Sequence, residues 1–147
     1  MDHPVPNLPV LKPTAPAVPA RLPLFGSKVT AGFPSPADDY VEGRLSLDEH
    51  LIQHKDSTFF VRARGNSMVE AHITDGDLLV VDKSLTPQFG DIVVAVVDGE
   101  FTVKYLVKRG DAVVLKPANA RYREIEFKEG QELQVWGVVT STVKKFR

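Results

Sequence analysis

The sequence predicts a mostly β domain of short strands with at most one or two brief helices, preceded by a flexible N-terminal arm. Three observations carry that expectation. Leu78–Val81 and Ile92–Val97 are short apolar runs rich in β-branched residues and bounded by Asp, Gly and Pro, the signature of strands buried on both faces. Asp98-Gly99 sits between Val97 and Glu100, a two-residue hairpin signal of type I′. Seven of the eleven prolines crowd at positions 4, 6, 9, 13, 16, 19 and 23, where no core can form.

In chain order, Pro13, Pro16 and Pro19 recur at the polyproline II repeat. A PxxP ligand for an SH3-like partner is one reading of them, and a solvated, semi-rigid arm is the better one. Residues 24–44 are mixed, with one short extended patch at Ala31-Gly32-Phe33-Pro34-Ser35-Pro36. There Pro34 and Pro36 disfavour helix at the residues before them. Ser46 and Glu49 have capping-box spacing, so a short helix is expected through about His54, with Leu47 and Leu51 facing inward. From Phe59 onward the pattern is β. Phe101, Val103, Tyr105 and Val107 alternate with Thr102, Lys104, Leu106 and Lys108 along the returning strand of the hairpin. A turn at Gly110-Asp111 leads to Val113-Val114-Leu115, and Leu133–Val139, carrying Trp136, makes a last strand.

Composition narrows the function. The 147 residues suit a single domain with a sizeable core. Eighteen Lys and Arg against nineteen Asp and Glu give a net charge of -1, so direct, strong DNA binding through phosphates is not expected. The absence of cysteine excludes a disulfide framework and thiolate metal sites. His3, His50 and His54 lack metal-ligand partners at useful spacing and read as surface residues, and no metal and no cofactor are expected. The six-residue run Ile92–Val97 is far short of the roughly 20 residues that span a bilayer. The opening Met-Asp-His-Pro has no signal-peptide character, so a soluble cytoplasmic protein without membrane attachment is expected.

The segment Gly65-Asn66-Ser67-Met68-Val69-Glu70 interrupts the strands and reads in two ways. Ser67 and Glu70 have capping-box spacing, so Ser67 can simply start a helical turn. Alternatively Ser67 is a nucleophile on a strand-to-helix turn, with backbone N–H groups of Ser67 and Met68 able to receive an oxyanion. A serine needs a base. His72 is the obvious suspect for a triad, but Asp75 and Asp77 read as turn formers around Gly76 rather than as its partner.

Lys104 is the more interesting base. The Asp98-Gly99 loop sets it opposite Val93, with Thr102 and Leu106 beside it and Ala95 diagonally across. Such neighbours remove solvent and favour the neutral amine. At the ordinary pKa of about 10.4, only about 0.04% of lysine is neutral at pH 7; a thousandfold weaker proton affinity makes that about a quarter. A snorkelling lysine on a solvated face is the competing reading, and spacing does not separate the two.

Gly65-Asn66-Ser67-Met68, then Asp75-Gly76-Asp77-Leu78-Leu79-Val80-Val81-Asp82, Gly90-Asp91-Ile92-Val93 and Asp98-Gly99-Glu100-Phe101-Thr102-Val103-Lys104, resemble in order the catalytic core of the LexA/UmuD family of self-cleaving serine peptidases. Ala31-Gly32-Phe33-Pro34-Ser35-Pro36-Ala37-Asp38-Asp39-Tyr40-Val41-Glu42 resembles the cleavage-site region of its UmuD branch. The resemblance runs from about residue 24 to the C-terminus. It implies a LexA/signal-peptidase-like β domain and a Ser-Lys dyad at Ser67 and Lys104. It implies a scissile bond at Ala31-Gly32, so that residues 1–31 are a removable arm and residues 32–147 the peptidase and dimerisation domain. The bond is the alanine-glycine pair of LexA-type repressors rather than the cysteine-glycine common in the UmuD branch.

Further implications of the resemblance are self-cleavage stimulated by a RecA–single-stranded DNA filament in the SOS response. The processed homodimer then acts with a UmuC-type polymerase subunit in error-prone translesion synthesis. The Pro-rich 31 residues before Gly32 do not suit a DNA-binding domain. A non-catalytic dimerisation module of a phage-type repressor is the alternative, and a Ser-Lys signal peptidase a more distant one.

Overall fold

The computed structural model describes residues 20–26, 32, 41–128 and 131–147. It falls into two units, Met1–Glu49 and His50–Arg147. In the first, β1 (Leu22–Phe25) pairs antiparallel with β2 (Val41–Leu45), with an irregularity after Leu24. The helix α1 is a single turn, Leu47–Leu51. Ser46 Oγ lies 3.5 Å from the Glu49 amide, a long version of the expected cap. The helix stops short of His54, and Leu47 is exposed rather than inward. A turn of 3₁₀ helix, Lys55–Ser57, takes up the chain instead.

The second unit is a seven-stranded antiparallel sheet. Its strands are β3 (Thr58–Arg62), β4 (Leu78–Asp82), β5 (Ile92–Val97), β6 (Glu100–Arg109), β7 (Ala112–Lys116), β8 (Ile125–Phe127) and β9 (Gln134–Val143). They lie in the order β3-β4-β9-β5-β6-β7-β8, so the last long strand is inserted between β4 and β5. The mostly β expectation is borne out, with β1, β2 and β8 added to the strands legible in the sequence.

Both faces of the sheet are packed, which is why β4 and β5 are continuously apolar. Leu79, Val81 and Val94 join Ala63, Met68, Ile73 and Ala118 in one cluster. Val93, Ala95, Leu106, Leu115 and Val138 form another. β9 bends to serve both, with register shifts opposite Val80/Val81 and Val94/Ala95. Gly137 lies between those shifts, where an added Cβ would come 2.6 Å from Val81 Cγ1.

The β5–β6 hairpin has the register expected from its turn. Val93 pairs with Lys104 and Val97 with Glu100. Asp98 and Gly99 both have positive φ, 51° and 79°, as a type I′ turn requires.

Candidate active site

The loop from β3 to β4 is closed at its base by two backbone bonds. The Ala63 amide donates to the Asp77 carbonyl at 2.8 Å and the Gly76 amide to the Ala63 carbonyl at 2.9 Å. Asp75 accepts from the Gly65 amide at 2.7 Å, consistent with its reading as a turn former. Inside the loop Met68 and Ile73 are buried among the first core cluster, and the Ile73 amide donates to the Met68 carbonyl at 3.2 Å. These two apolar plugs fix the intervening 3₁₀ turn, Val69–Ala71, and leave Ser67 half-buried at its entrance.

Ser67 does not cap that turn. The capping position is Met68 and carries no side-chain bond. The Glu70 amide, which the capping box would have used, donates instead to the Ala118 carbonyl at 2.9 Å. Among the described residues the amides of Ser67 and Met68 have no acceptor, so two N–H groups are available beside the hydroxyl.

The hydroxyl faces Lys104. Lys104 Nζ lies 3.1 Å from Ser67 Oγ, 2.8 Å from Thr102 Oγ1 and 3.0 Å from the Val103 carbonyl oxygen. The residue is only 8% exposed, so it does not snorkel. Among the described residues no carboxylate lies within ion-pair distance of it. Burial without a counter-charge pushes the Lys104 amine below the ordinary lysine range. A neutral amine has two N–H donors and one lone pair. In that neutral form Thr102 Oγ1 and the Val103 carbonyl can take the two donors, which leaves the lone pair for the Ser67 hydroxyl. That arrangement can withdraw a proton from serine.

The other sequence candidates lie elsewhere in function. His72 is exposed, closes the 3₁₀ turn with a left-handed backbone (φ 64°), and makes no side-chain contact with Ser67 among the described residues. His54 is exposed, as a surface residue would be, but its ring also meets a buried carboxylate. Its Nδ1 is 2.6 Å from Oδ2 of buried Asp82, whose other oxygen accepts from Ser57 and Ser84. The Ser84 hydroxyl, with His54, the Ser84 amide and Ser57, holds the Asp82 carboxyl well below the usual carboxylate range, against the opposing effect of its burial. Asp77 is likewise buried, and its carboxyl is held down first by Lys144 and then by the Thr74 amide.

Of the proposed scissile pair, Ala31 lies outside the described residues, and Gly32 is an exposed bend with nothing within 4 Å of an added Cβ. No group of His, Asp and Glu among the described residues could hold a metal ion. Thr102 and the Val103 carbonyl are the residues the sequence reading missed as partners of the amine. Thr102 was legible as a same-face neighbour two positions away.

A serine hydroxyl on a tight turn and a buried strand amine within hydrogen-bond reach, on an antiparallel β domain, bring together a nucleophile and a base of the kind serine peptidase chemistry needs. The chain belongs to the Peptidase S24-like family, whose pattern matches residues 23–140. It is 45% identical to protein SamA of Salmonella typhimurium strain LT2, over 94% of this chain and 96% of that protein. Protein ImpA of Escherichia coli is 45% identical over 85% of each chain. The LexA repressor of Desulfatibacillum aliphaticivorans is 39% identical over 92% of this chain and 66% of its own length. The LexA/UmuD resemblance is thereby borne out. No helix among the described residues is long and apolar enough to cross a membrane.

Proposed function

We propose that this chain is a self-cleaving serine peptidase of the UmuD type, cutting its own Ala31-Gly32 bond with Ser67 as nucleophile and Lys104 as general base. The 3.1 Å approach of a buried, carboxylate-free lysine amine to the serine hydroxyl is the observation that supports it most. Neutral Lys104 takes the Ser67 proton as Oγ bonds to the Ala31 carbonyl carbon. The amides of Ser67 and Met68 hold the resulting oxyanion. The tetrahedral centre collapses, the C–N bond breaks, and Lys104 returns the proton to the departing Gly32 amine. Water, deprotonated by Lys104, then hydrolyses the Ala31 ester and frees Ser67. Residues 1–31 leave as the arm, and residues 32–147 remain as the processed domain.

In the same reading, a RecA–single-stranded DNA filament accelerates the cleavage in the SOS response. The processed cytoplasmic homodimer joins a UmuC-type polymerase subunit for translesion synthesis. Family membership and the similarity to SamA and ImpA support this setting. The test is the intact mass of purified protein after incubation at raised pH, and again with RecA, single-stranded DNA and nucleotide. The expected product begins at Gly32, appears faster with the filament, and is absent from Ser67→Ala and Lys104→Ala. An uncut wild-type chain under both conditions refutes self-cleavage. Cleavage that the filament leaves unaccelerated refutes the SOS assignment alone.

A further inference from the structure

The loop after β7 reaches the Ser67 turn through three bonds. The Glu70 amide donates to the Ala118 carbonyl at 2.9 Å, and the Ala118 amide to Met68 Sδ at 3.3 Å. The third comes from a side chain: Asn119 Nδ2 donates to the Asn66 carbonyl at 2.9 Å, across 53 residues of sequence. The opposite end of the Asn119 amide is also committed, since its Oδ1 accepts from the Arg121 amide at 3.0 Å. One backbone acceptor and one backbone donor therefore set which end of the side chain faces which way.

The Asn66 carbonyl belongs to the same peptide unit as the Ser67 N–H. That unit is planar and trans, so its carbonyl and its N–H point in opposite directions. Whatever holds the carbonyl also aims the amide. Among the described residues the other donor to this carbonyl is the Val69 amide at a long 3.4 Å, so Asn119 is its principal anchor. On the other side of the unit, the Gly65 amide is pinned by Asp75 at 2.7 Å.

We propose that Asn119 is a positioning residue for the reaction: by holding the Asn66 carbonyl it points the Ser67 amide at the developing oxyanion. The inference rests on the reading of Ser67 as nucleophile. Asn119 touches neither Ser67 Oγ nor Lys104 among the described contacts, so it acts through the peptide unit alone. A bond at the carbonyl also polarises the unit and strengthens its N–H as a donor.

Asn119→Asp isolates this role. The carboxylate keeps an acceptor for the Arg121 amide, preserving the turn, and removes the donor to Asn66. Alkaline self-cleavage of the full chain is followed by intact mass across pH, with thermal unfolding measured alongside. The expected plateau rate falls about tenfold to a hundredfold, the scale of a misaimed or lost oxyanion donor. The pH midpoint stays in place, because Thr102 and Val103 still surround Lys104, and the unfolding temperature stays close to wild type. Asn119→Ala gives the same loss of rate together with lower stability. Asn119→Asp cleaving at the wild-type rate overturns the proposal while leaving the Ser67 reading intact. A slower rate that merely tracks lost stability or a displaced pH midpoint also overturns it. If the wild-type chain itself is not cut, the nucleophile reading falls and this inference with it.

Discussion

Among the described residues two lysines end beside a threonine hydroxyl, and one of the two has a carboxylate. Lys144 Nζ lies 2.6 Å from Thr74 Oγ1 and 2.5 Å from Asp77 Oδ2. Lys104 Nζ lies 2.8 Å from Thr102 Oγ1, and its next contacts are a serine hydroxyl and a peptide carbonyl. The first is a clasp that ties the end of β9 to the β3–β4 loop: charge meets charge, and the buried Asp77 carboxyl stays ionised well below its ordinary range. The second is a buried amine with no carboxylate beside it among the described residues, and burial lowers its pKa below the ordinary lysine range. The same side chain is structural in one place and a candidate base in the other, and one missing carboxylate makes the difference.

The largest effect expected from this contrast is on cleavage. Ser67→Ala and Lys104→Ala each lower the alkaline self-cleavage rate by about a thousandfold or more, since members of a catalytic unit fail together. Lys144→Ala, measured by the same mass assay, keeps the rate of the folded chain near wild type. A tenfold loss in Lys144→Ala would show that both lysines serve the chemistry.

A second variant turns one environment into the other. Thr102→Asp puts a carboxylate two residues from Lys104 on the same face of β6. An adjacent negative charge stabilises the ammonium. The pH at which the cleavage rate is half-maximal then moves up, and the rate between pH 7 and 9 falls about tenfold. A pH–rate profile that superimposes on wild type would contradict the role given to the missing carboxylate.

The smallest of the three effects is on stability. Lys144→Met leaves Asp77 buried with its amide and hydroxyl partners but no cation. Lys144 is 34% exposed on its side chain, so solvent weakens the pair, and the loss is about 1–2 kcal/mol at pH 7 by chemical denaturation. The sign with pH follows from the lowered Asp77 pKa. Its contribution is present above the ordinary carboxylate value and disappears as pH falls through the folded one. The gap between wild type and variant therefore closes below about pH 4.

How much of this was legible in the sequence depends on how local each cause is. The β5–β6 register was readable because two turn residues, Asp98 and Gly99, determine it, and with it the pairing of Lys104 with Val93. Whether that face of β6 was dry was not readable. The alternation Phe101, Val103, Tyr105, Val107 suggests the other face as the core, yet Phe101 is exposed while Lys104 and Leu106 are buried. Leu106 clusters there with Leu115 and Val138, brought in by β7 and by β9, the strand inserted from the far end of the sequence, while Lys104 meets Ser67 of the β3–β4 loop. The capping box at Ser67 failed for the same reason. Ala118, some fifty residues on, supplies the carbonyl that takes the Glu70 amide. The contact of exposed His54 with Asp82 was hidden because the two meet only through the pairing of β3 with β4.

The most direct test is the ionisation of Lys104 itself, followed by NMR at its Cε and Nζ in the uncleavable Ser67→Ala chain. The expected result is a titration midpoint clearly below the ordinary lysine value of about 10.4, returning upward in the double variant that adds Thr102→Asp. A midpoint at or above 10.4 would mean that burial leaves the amine charged, and would contradict Lys104 as the base.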